Sequence, residues 1–194
     1  MKTLAVIGGV DKRPVVYPLL QCLKFLGKTL VVTDEPAFRR FDDDFSLEFE
    51  NDNITIRVVP LVTQEVITET VQSLNEPFEY LVVVSNDFIP QGYERVVALS
   101  GVNRGFDFVD TTVGNFPNNE EFMRVFISPT KAKNLEYPKI TPTPSLLAYI
   151  YNCEDYRKFL PLEDQATVAV VTTLFGKALG LESKTIVKLL ARKE

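Results

Sequence analysis

The chain contains no histidine and no tryptophan, and its 194 residues include only two cysteines, Cys22 and Cys153. Without histidine, a Ser-His-Asp triad, a Cys-His pair and a histidine-ligated zinc are all excluded, so any acid–base chemistry falls to carboxylate, lysine or tyrosine. Two widely separated cysteines make neither a disulfide scaffold nor a metal-binding spacing, and they suit a reducing, cytoplasmic setting. Basic residues are in the minority: 21 Lys and Arg stand against 26 Asp and Glu, a net charge of −5. That balance argues against a general nucleic-acid binder, whose affinity comes from clustered cations that release phosphate counterions. Long apolar runs are missing too. No stretch approaches the ~18 apolar residues that span a bilayer, and Met1-Lys2 leads into a short strand without the apolar stretch of a secretory signal.

What is present is core material. The chain is 45% hydrophobic, enough for residues 1–194 to form a single α/β domain. Thr3–Ile7 reads as a buried strand ending at Gly8-Gly9, Val15–Leu26 as a helix closed by Gly27, and Leu30–Thr33 as a second buried strand. This is a βαβ unit, with parallel strands and a right-handed crossover. Pro18 is expected within the first turn or so of the helix, where a missing N–H is tolerated. Further on, Ile54–Val59, Tyr80–Val84, Phe106–Val109 and Arg124–Ile127 read as strands. Gln64–Leu74, Glu94–Ser100, a segment opening at Pro142-Thr143-Pro144-Ser145 and running toward Tyr156, Leu162–Leu179 and Ser183–Arg192 read as helices. The expected fold is a three-layer α/β/α domain around a mainly parallel sheet.

The candidate site is the turn after the first strand: Gly8, Gly9, Val10, Asp11, Lys12, Arg13 and Pro14. A phosphate loop here needs glycines so that backbone N–H groups approach the phosphates, a Lys for the β/γ oxygens and a Ser/Thr hydroxyl for Mg²⁺. Lys12 stands at the lysine position, whereas Arg13 and Pro14 occupy the hydroxyl positions. The helix start and the charges of Lys12 and Arg13 favour an anion. Asp11 opposes it: a like-charge contact at ~4 Å costs roughly 4 kcal/mol at an effective dielectric constant of about 20.

These residues resemble the MinD/ParA group of P-loop ATPases, whose deviant loop reads K-G-G-x-G-K-S/T. Ile7 replaces the signature Lys, Gly8 and Gly9 match, Asp11 replaces the third glycine, Lys12 matches and Arg13 replaces the metal-binding Thr. Gly27-Lys28-Thr29-Leu30-Val31-Val32-Thr33-Asp34 resembles the group's next landmark and places Asp34 at a carboxylate that positions water or metal. Phe78 to Ser85 resembles the strand of the Walker B motif, with Val84 where its Asp belongs. The resemblance implies a P-loop NTPase-like fold. It also implies a catalytically impaired relative that binds protein, as an adaptor or positioning factor in a bacterial pilus, secretion or partition assembly. The alternatives are an active ATPase with an unorthodox loop, using Lys12, Arg13 and Asp34, and a Rossmann-like small-molecule enzyme. No catalytic or metal residue is assigned. The cofactor expectation is none, beyond weak ATP or ADP at a vestigial site made of Gly8, Gly9, Val10, Asp11, Lys12, Arg13 and Asp34. The resemblance also implies a homodimer across the loop face, with Arg13 reaching a partner carboxylate or carbonyl.

Three other features bear on partners. Phe38, Phe41 and Phe45, beside Arg39-Arg40, form a docking surface if at least two are exposed together, and core if all are buried. Asp42-Asp43-Asp44 is read as a solvated loop in preference to a cation site. The basic amphipathic stretch from Ser183 to Glu194 is read as a helix packed on the domain in preference to a peripheral membrane contact. Asn103-Arg104-Gly105 and the segment Asn115 to Asn119 read as turns.

Overall fold

A computed structural model describes residues 1–102, 121–129 and 135–193. The strand expected at Phe106–Val109 and both of the asparagine-rich turns lie outside the described residues. Among the described residues eight strands form one sheet in the order β3-β4-β2-β5-β1-β6-β7-β8. They are β1 (Lys2–Ile7), β2 (Thr29–Thr33), β3 (Glu48–Asn51), β4 (Ile54–Val58), β5 (Tyr80–Ser85), β6 (Arg95–Gly101), β7 (Phe122–Ile127) and β8 (Lys139–Ile140). Every pairing is parallel except β3 with β4.

The helices are α1 (Arg13–Leu23), α2 (Gln64–Leu74), α3 (Pro144–Tyr156), α4 (Gln165–Val171), α5 (Lys177–Leu179) and α6 (Ser183–Leu190); a π-helical turn, Thr172–Gly176, joins α4 to α5. Because successive strand residues face opposite ways, each central strand feeds two cores. Leu4, Val6, Val31, Val82, Val84, Val97 and Leu99 pack with α1 and α3 on one face. Ala5, Ile7, Leu30, Val32, Leu81, Val83 and Ala98 pack with Ile67 of α2 on the other. Both sides of β1, β2 and β5 are therefore buried, which is why they read as continuous apolar runs.

Several expectations are corrected. Residues expected as a helix over Glu94–Ser100 form strand β6, because Val96, Val97, Ala98 and Leu99 must fill both cores at once between β1 and β7. The segment before β4 contains an unforeseen strand, β3, which turns back antiparallel through Asp52 at φ 54°. Helix α1 begins at Arg13, so Pro18 sits mid-helix and removes one helical hydrogen bond. The helix expected from Leu162 starts at Gln165, where Asp164 caps it by accepting from the Thr167 N–H. In α6, Ile186, Leu189 and Leu190 are buried against Cys22, Val168 and Val171. Its apolar face is thus covered by the domain. Among the described residues no helix is long and apolar enough to cross a membrane.

Phe38 and Phe41 are corrected from partner surface to core. Pro36 to Phe41 form a 3₁₀ turn in which these two, three residues apart, share a side and are 1% and 4% exposed. Phe41 stacks on Phe159 with ring centroids 4.6 Å apart, and Tyr17 meets Phe38 and Phe41 edge-on at 5.6 and 5.2 Å. Only Phe45, beyond the turn, is exposed.

Candidate functional site

The carboxyl ends of β1, β2 and β5 lie side by side, since β5 is inserted between β1 and β2. The loops leaving those three strands converge there. This is where open α/β sheets place their binding crevices, and the structure brings together Gly8, Gly9, Val10, Asp11, Lys12, Arg13 and Asp34 at that end. An open, polar pocket of about 460 Å³ is lined by Gly9, Val10, Asp11, Arg13, Glu35, Arg40 and Asn86, with Pro36 and Ala37 at its side.

Gly8 is fixed by the sheet. Its φ is 126°, and a Cβ built there would lie 2.0 Å from the Leu99 carbonyl oxygen of β6. The Gly8 N–H donates to the Ser85 carbonyl at 3.0 Å, pinning the turn to β5. Gly9 differs: nothing lies within 4 Å of a Cβ placed on it. One glycine of the pair is thus required by packing alone, with or without a phosphate.

Lys12 is almost wholly buried, at 1% exposure. Its ammonium donates to the Gly8 carbonyl at 2.6 Å and to Asn86 Oδ1 at 3.0 Å, with the Val10 carbonyl at 3.3 Å, and forms an ion pair with Glu35. Asn86 also binds Asp34, donating its backbone N–H at 3.1 Å and its side-chain amide at 3.3 Å. The Ser85 hydroxyl donates to the same carboxylate at 2.7 Å. Burial raises the Asp34 carboxyl above its ordinary value, against the opposing pull of Ser85, Asn86 and Lys12. Asp34 therefore ties β2 to β5.

The start of α1 holds an anion of the chain's own. Asp11 Oδ1 accepts the Arg13 backbone N–H at 3.0 Å and the Arg13 Nε–H at 2.9 Å, and Oδ2 accepts from Nη2 at 2.9 Å. The next residue, Pro14, has no N–H. A carboxylate thus takes the place at the helix start that attracts phosphate. Arg13, expected to reach a partner molecule, directs Nε, Nη1 and Nη2 to carboxylates of its own chain, Nη1 donating to Glu154 at 2.9 Å. The Asp11 hydrogen bond leads the causes that hold the guanidinium pKa above its ordinary value.

Glu154 closes the arrangement from α3. Only 7% exposed, it accepts from Arg13 Nη1 and the Tyr17 hydroxyl at 2.9 and 3.0 Å through one oxygen and from Arg40 Nη1 at 2.6 Å through the other. Burial alone would raise this carboxyl, yet the hydrogen bonds from Arg13, Arg40 and Tyr17 hold it below its ordinary value. The Tyr17 hydroxyl is pushed the other way, above its ordinary value, by burial and by the adjacent Glu154 charge.

The residues present do not fit a magnesium nucleotide as the P-loop pattern requires. Arg13 offers no hydroxyl, and Val84 is fully buried in the core where a Walker B carboxylate would face the metal. Among the described residues no group of three or more His, Cys, Asp or Glu could hold a metal ion. In the loop before β3, Asp42 accepts the Ser46 N–H at 2.9 Å and Asp43 pairs with Arg157.

The residues missed by sequence reasoning are Glu35, Arg40, Asn86, Tyr17 and Glu154. Glu154 carried a signal: it shares the apolar stripe of α3 with Ile150, four residues earlier.

The architecture is an α/β, P-loop NTPase-like one: a parallel sheet whose first strand runs through a glycine turn into a helix, with β5 between β1 and β2. No family model and no curated protein matches the chain. Among solved structures, it is similar to the MinD cell division protein of Aquifex aeolicus, with a TM-score of 0.49 and 11% identity over 100% of this chain and 99% of that one.

Proposed function

We propose that this chain is a MinD/ParA-like ATPase homologue with impaired catalysis that acts by binding protein, as an adaptor or positioning factor in a larger bacterial assembly of pilus, secretion or partition type. One observation carries the reading: the groups a nucleotide would need are bound to one another. Lys12 is enclosed by Gly8, Val10, Asn86 and Glu35, and the Asp11 carboxylate sits at the helix start. A nucleotide would have to displace those partners, and hydrogen bonds to charged groups contribute about 1.5–3 kcal/mol each. A penalty of about 4 kcal/mol turns a 10 μM site into a roughly 10 mM one.

The polar pocket beside the loop is the observation that favours the alternative of an active ATPase using Lys12, Arg13 and Asp34. Hydrolysis separates the two. The proposed reading expects Mg-dependent ATP turnover no greater than that of a Lys12→Ala control, and turnover well above the control supports the alternative. The Asp11→Gly/Arg13→Thr variant should gain nucleotide affinity, about tenfold or more, because it removes the internal anion and restores a hydroxyl.

A further inference from the structure

We infer that the outer edge of β3, with the Phe45–Leu47 turn leading into it, binds an extended basic segment of a partner protein as an added strand. The inference rests on the reading of this chain as a protein binder and names the surface and the partner's chemistry.

β3 ends the sheet. One side is paired with β4, the Val58 N–H donating to the Leu47 carbonyl at 2.6 Å as the pairing begins. Among the described residues no strand covers its other side. Of the devices that blunt exposed edges, β3 has short length, four residues, and the acidic side chains Glu48 and Glu50, which turn away a strand of like charge and admit one of opposite charge; Phe45 to Asn51 contains neither Pro nor Lys. Phe45 and Leu47, two residues apart, are 52% and 54% exposed. The turn that presents them is held in place: Arg39 Nε donates to the Phe45 carbonyl at 2.9 Å and the Ser46 N–H to Asp42 at 2.9 Å. Phe45 adopts φ 51° there, a conformation disfavoured for a bulky residue.

Charge decides the occupant. Six of the eleven residues from Asp42 to Asp52 are acidic. Arg157 pairs with Asp43, Arg57 with Glu48 and Lys24 with Asp52, whereas Glu50 meets only the longer-range charge of Lys28 and Asp44 forms no ion pair with a described residue. A second copy docking edge to edge would set acidic strand against acidic strand, which is unfavourable. An incoming strand with Lys or Arg on alternate residues would place cations opposite Glu48 and Glu50 and gain the open backbone groups.

The test uses the whole chain and a fluorescein-labelled peptide of alternating Lys and Val, followed by anisotropy. Saturable binding is expected, weakening steeply between about 50 and 300 mM salt. It should fall about tenfold or more in Phe45→Ser/Leu47→Ser and in Asp44→Lys/Glu50→Lys, and similarly for a peptide N-methylated on alternate amides. Amide exchange in residues 46–51 should slow on binding. These variants alter exposed side chains, and circular dichroism verifies that they remain folded. No binding, equal binding of an alternating Glu/Val peptide, or unchanged binding by both variants would overturn the inference. So would self-association that Phe45→Ser/Leu47→Ser abolishes, because a second copy would then be the occupant. Failure here is distinguishable from failure of the functional reading: ATP turnover refutes that reading without touching the β3 edge, and loss of peptide binding leaves the closed loop as it is.

Discussion

Replacing Gly8 with alanine is expected to destabilise the fold by about 3–5 kcal/mol, combining backbone strain at a φ that L-residues avoid with a clash in a packed sheet. The clash partner is the Leu99 carbonyl, which is main chain in the middle of β6 and cannot swing aside as a side chain would. Urea unfolding should show the loss as a lower midpoint with little change in slope. Gly9→Ala is the matched control and should stay within about 0.5 kcal/mol of wild type, because the space around it is open. The contrast has a meaning beyond stability. It separates a glycine demanded by sheet packing from one that only close approach of a ligand would demand. A Gly8→Ala protein as stable as wild type would show that the turn does not lie against β6.

Glu154→Gln should cost about 2–4 kcal/mol. Removing one partner of a buried ion pair costs about 3–5 kcal/mol, reduced here because Arg40 is 55% exposed and screened by solvent. In a chain of this length that lowers the melting temperature by roughly 4–16 °C. The effect has a pH signature. Glu154 binds its proton more weakly in the folded chain than in the unfolded one. Its contribution is therefore complete above the unfolded value, about 4.3, and is lost as pH falls through the lower folded value. Wild type should lose stability in that acid range and Glu154→Gln should lose less, so the two unfolding curves converge as pH drops. A constant gap between them from neutral to strongly acidic pH would contradict the charge-assisted bonding described here.

Much of the fold was legible because β1, β2 and β5 are buried on both faces and α2 carries a capped apolar stripe. The failures have physical causes. Val96 to Leu99 is a short apolar run whose periodicity does not separate a buried strand from a buried helix, and only its place between β1 and β7 decides. Phe38 and Phe41 could have been parted from Phe45 by their spacing of three, which a 3₁₀ turn turns to one side. The site was half legible. Gly8 to Arg13 and Asp34 lie near one another in the first strand–helix–strand unit, and the residue types showed that the groups handling phosphate and magnesium are mostly replaced. What the sequence could not show was which groups meet there: Glu35 and Asn86 enclose Lys12, and Glu154 arrives from a helix far along the chain. Asp11 was read only as a charge that would repel phosphate, and its pairing with Arg13 was not foreseen.

On the proposed reading, the loop after β1 is closed to nucleotide by the chain's own side chains. Isothermal titration of the purified chain with ATP and with ADP, each with and without Mg²⁺, tests it most directly. No saturable binding of either nucleotide is expected up to about 1 mM, with or without the metal. Binding at about 10 μM or tighter, strengthened by Mg²⁺ and abolished by Lys12→Ala in a protein that remains folded, would contradict it.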